Sequence, residues 1–359
     1  MTLSSQATSV LAALEDAGRE ATLRLGKFRL NVTSLDKKLW PAARPAVTKR
    51  GYLRYLASVS EVLLRHVKDR PVFVVRTPNG IAGSHFFQKH FPDAESFVRT
   101  LSIWTEDEGK PTRYLVPSNL ATLLWLGQRA AVELHVWHSS VTRGTDGAGL
   151  GTSYATSAAR LDESRLNFPD FLVVDLDSYV YSGKEKKGDE PELHRKGFEA
   201  VRDVALEVRE VATSLGLEAF VKTSGKTGLH LFFPIVRDFT FDEVRRMAEA
   251  LGSFVARRMP KQVTLEWSVE NRTGKVFFDY NQNVRGKSLA AAYSVRRHPA
   301  ATVSTPVTWD ELPHVYPTHF TVHTLPERLA TVGDPWAGIL DAKHDLAAAL
   351  GLAGVETPA

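Results

Sequence analysis

The sequence of 359 residues is 43% hydrophobic and 24% charged, and at ~150 residues per domain its length predicts about two domains. It contains no cysteine, which excludes disulfides, thiolate metal sites and thiol nucleophiles. Without an apolar run of ~18 residues or a basic amino-terminal region, we expect neither a membrane span nor a signal peptide, and a cytoplasmic location. The net charge of +4 permits a polyanionic partner without requiring one.

The first 76 residues predict an alternation of helices and strands. Residues 1–25 are polar and rich in alanine, which indicates a peripheral leader helix. A short strand is predicted at Lys27–Val32, and leucines and valines at three- and four-residue spacing predict an amphipathic helix over Thr48–Lys68. Arg70-Pro71 ends this helix, and a strand is predicted at Val72–Arg76.

The middle of the chain predicts a second helix and a long connection. The helix is expected to begin near Ser118, a suitable N-cap, and to reach Leu134. Residues 139–167 are rich in Gly, Ser, Thr and Ala, which indicates a loop or linker between subdomains. We therefore expect five segments, with the boundaries 1–25, 26–138, 139–167, 168–312 and 313–359, the last being a carboxy-terminal tail.

The second half predicts strands and helices in the order β-α-β-β-α-β. They are expected at Phe171–Asp177, Lys196–Leu215, Ala219–Thr223, Leu229–Ile235, Thr240–Met259 and Val276–Tyr280. Thr240 and Glu243 have the spacing of a capping box. Helices between strands, together with adjacent hairpin-like strands, favour a mixed α/β (α+β) fold over a doubly wound parallel sheet.

Two carboxylates stand at the end of an apolar predicted strand. Four apolar residues lead into Asp175 and Asp177, and residues two apart in a strand share one face. Like charges on one face repel unless a cation lies between them, and Mg²⁺ or Mn²⁺ binds carboxylate oxygens while leaving positions open for a phosphate. The pattern indicates a metal site; a pair of acids facing water at a strand end is the alternative.

A third acid occurs in a matching context. The segment Lys275-Val-Phe-Phe precedes Asp279, so a second apolar strand also ends in a carboxylate. Three carboxylates at one sheet edge are the usual frame for two divalent ions ~3.5–4 Å apart, as in phosphoryl and nucleotidyl transfer. The alternative is that Asp279 ends an unrelated strand.

The segment Ser224-Gly-Lys-Thr-Gly-Leu-His230 is rich in glycine but is not a Walker A loop. That motif requires glycine where this chain has Phe220. A glycine-rich turn still offers backbone N–H groups, hydroxyls and Lys226 to phosphates, and His230 can face the same ligand. An ordinary β-hairpin turn is the alternative.

Aromatic and histidine residues suggest one further site. The chain has no HExxH pattern and no cysteine, so we expect no zinc. In the segment His85-Phe86-Phe87-Gln88-Lys89-His90 two aromatic residues lie among basic ones, which is typical of a stacking platform for nucleic-acid bases. A place in the hydrophobic core is the alternative.

Taken together, these segments resemble the polymerase domain of bacterial ligase D, a member of the archaeo-eukaryotic primase superfamily. The resemblance extends from about Gly26 to Trp336 and depends on the order of many short motifs. These are Ser34-Leu-Asp-Lys37-Lys-Leu-Trp-Pro41, Thr48-Lys49, Arg70-Pro71, Pro78-Asn-Gly80, His85-Phe-Phe-Gln-Lys89, Leu134-His135, Asp175-Leu-Asp177, Lys222-Thr-Ser-Gly225, Gly228-Leu-His230, Phe278-Asp279-Tyr280-Asn-Gln282-Asn283, Tyr293-Ser-Val-Arg296 and Asp334-Pro-Trp336. The resemblance implies a primase-type catalytic core over 168–312, with an N-terminal α/β region packed beside it over 26–138.

The resemblance also implies a role for each matching position. The catalytic, metal-binding carboxylates are matched by Asp175, Asp177 and Asp279. Nucleotide contacts are matched by His135 near the incoming sugar, by Ser224 and His230 at the triphosphate, and by Arg272, Gln282 and Arg296. The lysines that hold a 5′-phosphate downstream of a DNA gap are matched by Lys37 and Lys49, and the aromatics that stack on the template by Phe86 and Phe87.

The chain departs from the family pattern near the nucleotide. The family usually has Ser-Gly-x-Lys-Gly, whereas here Lys226 stands one place early and Thr227 takes the position of the lysine. Both are candidate nucleotide contacts. Val75 replaces a common lysine, and Arg76 is the candidate that supplies its triphosphate contact. An insertion at 179–192 directly follows the metal-binding strand and is interpreted as a solvated loop.

The implied activity is that of a DNA-directed primase-polymerase, which adds nucleotides to a primer 3′-hydroxyl at DNA gaps or broken ends. The resemblance further implies two divalent ions (Mn²⁺ or Mg²⁺), NTP and dNTP substrates with a preference for ribonucleotides, and work with Ku and a DNA ligase at the nucleoid. No ligase or phosphoesterase module fits in 359 residues, so we expect a stand-alone polymerase. A two-metal nuclease and a non-catalytic DNA-end-binding module are the alternatives.

Overall fold

The computed structural model describes residues 3–146, 150–178, 193–268, 272 and 274–349. Their helices are α1 (Ser5–Asp16), α2 (Lys49–Ser58), α3 (Ser60–Val67), α4 (Leu120–Gln128), α5 (Ala158–Asp162), α6 (Arg195–Ser214), α7 (Phe241–Arg258), α8 (Leu325–Val332) and α9 (Leu346–Ala349). Their strands are β1 (Ala21–Leu25), β2 (Phe28–Val32), β3 (Lys38–Trp40), β4 (Val47–Thr48), β5 (Val72–Arg76), β6 (Phe86–Gln88), β7 (Thr100–Thr105), β8 (Lys110–Leu115), β9 (Ala131–Trp137), β10 (Phe171–Ser178), β11 (Phe220–Thr223), β12 (Leu229–Pro234), β13 (Val263–Thr264), β14 (Val276–Asp279), β15 (Ser288–Ala290) and β16 (Pro306–Val307). The mixed α/β class is confirmed, and none of these helices is long and apolar enough to cross a bilayer.

One six-stranded sheet, the carboxylate sheet, has the order β13-β14-β10-β12-β11-β16. Its strand β10 is apolar on both faces at its beginning, because Leu172 and Val174 pack into the cluster that contains the side chains of α6 and α7. Phe171 and Val173 belong to the cluster on the opposite side. Alternation along the strand then places Asp175 on this opposite face, away from the two helices.

Local sequence explains the two helices that cover this sheet. In α6 the buried residues include Phe198, Val201 and Val208, spaced so that they share one helix face. In α7 the Thr240 hydroxyl accepts from the Glu243 N–H while the Glu243 side chain accepts from the Thr240 N–H. The predicted capping box is therefore confirmed, as are both helices and the strands predicted at β10, β11, β12 and β14.

The second six-stranded sheet has the order β15-β9-β5-β8-β7, with β6 paired to β5. The helix predicted from Ser118 to Leu134 is wrong in its second half. Helix α4 is capped by Asn119 and ends at Gln128, Ala130 adopts a φ of 54°, and β9 follows. A continuous apolar run is compatible with a buried helix or a buried strand, and hydrophobicity alone does not separate the two.

The amino-terminal predictions need two further corrections. The leader helix ends at Asp16, is followed by β1, and is not peripheral, because Ala7, Val10 and Leu14 are buried. The helix predicted over Thr48–Lys68 is two helices that meet at Val59. Serine and valine, which have low helix propensity, form this junction.

The remaining connections pack onto the same framework. The predicted loop 139–167 contains the short helix α5. In the predicted tail, Trp336 is buried and its indole N–H donates to the Val221 carbonyl at 3.1 Å. The strands predicted at Lys27–Val32 and Val72–Arg76 are confirmed as β2 and β5. The predicted insertion at 179–192 lies outside the described residues.

Candidate active site

Strand register brings four ionisable side chains into one row across the carboxylate sheet. Asp175 on β10 is paired with Asp279 on β14 and, on its other side, with His230 on β12. His230 is in turn paired with Lys222 on β11. All four are buried, and directly paired residues point to the same face of a sheet. Asp177, two residues beyond Asp175, shares that face and completes the three predicted carboxylates.

The three carboxylates disfavour one another's ionised form. Burial raises the pKa of Asp175 well above its usual value, with further contributions from the charges of Asp177 and Asp279. The pKa of Asp177 is raised by burial and by Asp279, and burial also raises the pKa of Asp279. Buried like charges of this kind are stabilised by an added cation.

The three carboxylates are suitable ligands for a divalent metal, although their oxygens do not already surround one common position. Among the described residues, no group of three or more His, Cys, Asp or Glu side chains is already arranged to hold a metal ion. Asp175 Oδ1 is buried and has no hydrogen-bond partner in this part of the chain; the His230 Nε2 atom lies 3.4 Å away. Asp279 accepts from the Asn281 N–H and the Gln282 amide at 2.9 and 3.0 Å. A buried carboxylate oxygen without a partner is a suitable ligand for a hard cation.

The glycine-rich turn between β11 and β12 lies directly against the carboxylates. A Cβ on Gly228 would lie 2.2 Å from the Leu176 carbonyl oxygen and 2.5 Å from Asp177 Oδ1, so only glycine allows this approach. The Ser224 hydroxyl oxygen accepts from the N–H groups of Lys226 and Gly228 at 3.2 and 3.0 Å. These two backbone donors are therefore used inside the turn, and the Thr227 hydroxyl lies 3.5 Å from Asp177 Oδ1.

A buried lysine beside His230 stands in the motif Lys222-Thr-Ser-Gly225, but the sequence analysis assigned it no role. Lys222 Nζ lies 2.6 Å from His230 Nδ1 and donates to the Ser304 hydroxyl at 2.6 Å. Burial lowers the pKa of Lys222 well below its usual range, and the Arg296 charge acts in the same direction. A lysine in the middle of a short apolar strand is the signal that could have identified it.

Glu133 is a second residue that the sequence reasoning missed. It is buried on β9, and its carboxylate contacts His135 Nε2 at 2.9 Å, Arg296 Nε at 3.3 Å and Lys226 Nζ at 3.6 Å. Arg296, His135 and Lys226 hold the pKa of Glu133 well below its usual value although burial opposes them. An acid within the apolar run of β9 was the available signal, and it went unnoticed because the run was interpreted as a helix.

One open pocket of about 340 Å³ between the two sheets is lined by many of the predicted site residues. The pocket lining combines two carboxylates with basic, imidazole and hydroxyl-bearing side chains. The lining residues are His135, Asp175, Asp177, Ser224, Lys226, Thr227, His230, Gln282, Ser288, Leu289, Ala290 and Arg296. Nine predicted site residues thus line this pocket, while Asp279 is outside the lining and accepts a hydrogen bond from the lining residue Gln282.

Two predicted nucleotide contacts lie outside this lining. Arg272 is buried, with its guanidinium 3.4 Å from the centre of the Phe277 ring, and it donates to the Glu266 carbonyl at 2.8 Å. Arg76 donates to the Arg129 carbonyl at 2.9 Å and lies under the Phe86 ring at 5.1 Å. Arg76 therefore supports an aromatic residue in this structure and does not reach the pocket.

The two lysines predicted to bind a 5′-phosphate are neighbours. The Lys49 backbone N–H donates to the Lys37 carbonyl at 2.8 Å. Their ammonium groups are held by amides, Lys37 by Asn79 at 3.3 Å and Lys49 by Gln128 at 3.5 Å. Burial and the Lys37 charge lower the pKa of Lys49. Two ammonium groups that repel each other at a helix start form a corner suited to an anion.

The two predicted stacking residues are exposed on β6. Phe86 is 44% and Phe87 69% exposed, so the alternative of a place in the core is wrong. Phe87 packs edge-on against Phe73 at 6.0 Å, and Phe73 stacks on His135 at 4.6 Å. An aromatic series thus leads from the exposed surface to the pocket.

Comparison with known proteins identifies similar chains. The model of the LigD primase-polymerase domain matches residues 48–336. The sequence is 32% identical over 302 residues to the multifunctional non-homologous end joining protein LigD of Pseudomonas aeruginosa, covering 82% of this chain and 31% of that protein. It is 29% identical over 311 residues to the bifunctional non-homologous end joining protein LigD of Bacillus subtilis, covering 86% of this chain and 44% of that protein. The chain thus spans less than half the length of these relatives.

A solved structure resembles the whole fold. The polymerase domain of Mycobacterium tuberculosis ligase D, in complex with DNA, superimposes with a TM-score of 0.72 at 28% sequence identity. The similarity covers 88% of this chain and 99% of that domain, so the two chains share most of their architecture.

Proposed function

The chain belongs to the LigD primase-polymerase family, whose domain is a nucleotidyltransferase, and from this premise we propose that it extends a primer 3′-hydroxyl at gapped or broken DNA. One observation carries the proposal. Asp175 and Asp177 line a single open pocket together with basic and hydroxyl-bearing side chains, and Asp279 is paired with Asp175 on the neighbouring strand. Nucleotidyl transfer needs both kinds of group together, because the carboxylates hold cations and the basic and hydroxyl-bearing side chains hold a triphosphate.

We propose that Asp175, Asp177 and Asp279 hold two divalent ions, Mn²⁺ or Mg²⁺. The partnerless Asp175 Oδ1 and the mutual repulsion of the acids support this assignment. When bound, such ions lower the pKa of an attacking hydroxyl and neutralise charge on the leaving pyrophosphate. The protein supplies the ligands, and Gln282 and the Asn281 N–H orient the Asp279 carboxylate.

The basic and hydroxyl-bearing side chains of the lining are proposed to hold the triphosphate. Lys226, Thr227 and Arg296 offer charged and hydroxyl donors to the pocket, and charge-assisted hydrogen bonds to phosphate are stronger than neutral ones. Glu133 positions Arg296 and Lys226. His135, held by Glu133 and stacked on Phe73, stands where the sugar of the nucleotide would pass toward the aromatic series. Arg272, whose charge acts to lower the pKa of Asp177 and of Asp279, is also proposed to contact the nucleotide.

The DNA end is proposed to occupy the lysine and aromatic surface. Lys37 and Lys49 would hold a 5′-phosphate, and Phe86 and Phe87 would stack on template bases. The solved neighbour is a complex with DNA, which supports DNA as the partner. We further propose ribonucleotide preference, cooperation with Ku and a DNA ligase, and action on the nucleoid in the cytoplasm.

Primer extension on gapped DNA tests the proposal. A labelled primer opposite a short gap is incubated with NTPs or dNTPs and with Mn²⁺ or Mg²⁺, for the wild type and for Asp177→Asn. We expect template-directed addition by the wild type, faster with NTPs, and none by the variant. The matched control is Asp93→Asn, since Asp93 is exposed and is not among the residues that line the pocket.

Two outcomes would replace the proposal by the alternatives. Shortened primers that depend on Asp177 would identify a two-metal nuclease. Binding of gapped DNA without any change of primer length, under every combination of ion and nucleotide, would identify a non-catalytic end-binding module.

A further inference from the structure

A groove larger than the candidate active-site pocket adjoins that pocket. Its volume is about 870 Å³, and its lining residues come from β5, β6, the β7–β8 hairpin, α5, the start of α7 and the segment before β15. Lys287 of the groove directly precedes Ser288 of the pocket, and Phe73 of the groove stacks on His135 of the pocket at 4.6 Å. The groove therefore leads to the place where the reaction is proposed to occur.

The groove combines aromatic rings with cations. Phe87 and Trp104 contribute rings that are exposed or partly exposed, and Lys89, Arg285 and Lys287 contribute positive charges. Positive charge beside accessible rings is typical of a surface for a single nucleic-acid strand, because phosphates pair with the cations and bases stack on the rings. The lining thus fits a single strand in its chemistry.

The Arg285 guanidinium joins three segments around this groove. It donates to Glu106 at the tip of the β7–β8 hairpin and to Asn167, each at 3.1 Å, and it forms an ion pair with Asp162 at the end of α5. The Arg285 side chain is 17% exposed, whereas that of Glu106 is 67% exposed. Water and salt weaken an exposed ion pair, so Glu106 is the partner that an incoming phosphate replaces at the smallest cost.

The same hairpin tip also holds a second cation of the groove. Lys89 Nζ lies 3.0 Å from Glu108 Oε1, and Lys110 Nζ lies 3.8 Å from Glu108 Oε2. Glu106 and Glu108 are the two ends of one three-residue turn between β7 and β8. One short segment therefore supplies a carboxylate to Arg285 and another to Lys89, and it neutralises charges that a nucleic-acid backbone would use.

We propose that Glu106 and Glu108 act as internal competitors of nucleic-acid phosphates. Without nucleic acid they pair with Arg285 and Lys89, and a single-stranded template that enters the groove replaces them, since phosphate forms strong charge-assisted hydrogen bonds with both cation types. Phe87 identifies the strand as the template, because it belongs both to the groove lining and to the proposed stacking surface. The inference rests on the proposed function and adds a barrier against strands that are not held elsewhere on the protein.

The first test measures the affinity for a fluorescein-labelled oligothymidine strand by anisotropy, without nucleotide or divalent ion. Glu106→Gln and Glu108→Gln keep the size of the side chain and remove its charge. We expect each variant to bind the strand about threefold more tightly than the wild type, as for release of one exposed ion pair. The double variant should gain about tenfold, because the two pairs involve different cations.

A double-mutant cycle separates competition from a general loss of negative charge. In an Arg285→Gln background, Glu106→Gln should no longer increase the affinity, because the cation that it releases is absent. The gain from Glu108→Gln should persist there and should disappear in a Lys89→Gln background. If Arg285→Gln does not fold, the cycle of Lys89 and Glu108 decides the proposal by itself.

Glu210→Gln is the control with the same change of net charge. Glu210 is an exposed carboxylate 3.6 Å from Arg258, and neither residue is among those that line the groove or the pocket. Arg258 ends α7, whereas Asp242 near the start of α7 lines the groove, a separation of roughly 24 Å along the helix. The control should change the affinity less than twofold, and thermal melts should show that all variants remain folded.

Three results would overturn the proposal. These are a gain in Glu106→Gln and Glu108→Gln no larger than in Glu210→Gln, a gain that persists when the paired cation is removed, and an equal gain for a blunt duplex that has no single-stranded segment. Failure of the wild type to extend any primer would instead contradict the proposed function, and the binding measurements, which need neither nucleotide nor metal, would still decide the role of the two carboxylates.

Discussion

The carboxylate sheet and the lysine and aromatic surface hold their functional side chains in opposite ways. Asp175 is 8% exposed and is flanked by paired residues on both neighbouring strands. Phe87 is 69% exposed, and the Lys37 ammonium group is held by the Asn79 amide at 3.3 Å on the surface. Strand register positions the side chains of the carboxylate sheet, whereas a few side-chain contacts position those of the lysine and aromatic surface.

This difference predicts how strongly each region responds to change. In the buried region charges are poorly screened, so they shift one another's pKa, and loss of one partner leaves the other uncompensated. At the exposed surface water and salt weaken each interaction. We therefore expect substitutions at the pocket to change the reaction rate and the unfolding free energy strongly. Substitutions at the lysine and aromatic surface should change the affinity for DNA by smaller amounts.

The largest effect is expected for Asp175→Asn. Primer extension should fall by at least about a thousandfold, since the variant lacks a metal-binding charge. Its unfolding midpoint without metal should rise, because the raised pKa means that the ionised carboxylate destabilises the folded state at neutral pH. Activity assays and thermal melts measure the two effects, and Asp93→Asn should change neither. A less stable Asp175→Asn protein would contradict the account of repulsion.

Glu133→Gln should give the largest loss of stability. Removing one member of a buried charge network costs roughly 3–5 kcal/mol. Because the pKa of Glu133 is depressed in the folded state, its stabilising contribution is complete above the unfolded value of about 4.5 and declines as the pH falls toward the folded pKa.

Urea unfolding at about pH 7 and about pH 3.5 checks this sign. The difference between wild type and Glu133→Gln should shrink at the lower pH. Glu163→Gln, at an exposed carboxylate paired with Arg160, is the control and should have little effect. An equal difference at both pH values would refute a charge-dependent role for Glu133.

At the exposed surface, the double change Lys37→Ala with Lys49→Ala should erase a preference for a downstream 5′-phosphate of about tenfold. The physical reason is that two ammonium groups distinguish a terminal phosphate from an internal diester by its additional charge. Affinity for phosphorylated and unphosphorylated gaps, measured by fluorescence anisotropy, tests this. Equal binding of both substrates by the wild type would eliminate the phosphate pocket.

The smallest effect is expected for Phe87→Ala. A stacked base is worth ~1–3 kcal/mol, and the high exposure of Phe87 favours the lower end, or roughly fivefold in affinity for gapped DNA. The loss should be the same with and without the 5′-phosphate. A loss that appears only with the phosphate would join Phe87 to the lysine corner instead.

Predictions from the sequence were accurate where neighbours along the chain decide the structure. The strand that ends in Asp175 and Asp177 and the capped helix α7 were each predicted within one or two residues, and the order of motifs indicated the family that the comparisons confirm. The helix predicted to continue through the first residues of β9 was wrong for a local reason, because an apolar run of this length is compatible with either a helix or a strand.

The sequence by itself determined the apolar strands, the capping box, the glycines of the turn and the acids at the strand ends, because these features depend on residues a few positions apart. Only the tertiary structure decided which polar groups meet. Glu133 lies 163 positions from Arg296 along the chain and Lys222 82 positions from Ser304, and both pairings form only when distant segments pack together. A buried charge needs a partner when water is removed, and that partner is defined only once distant strands are aligned.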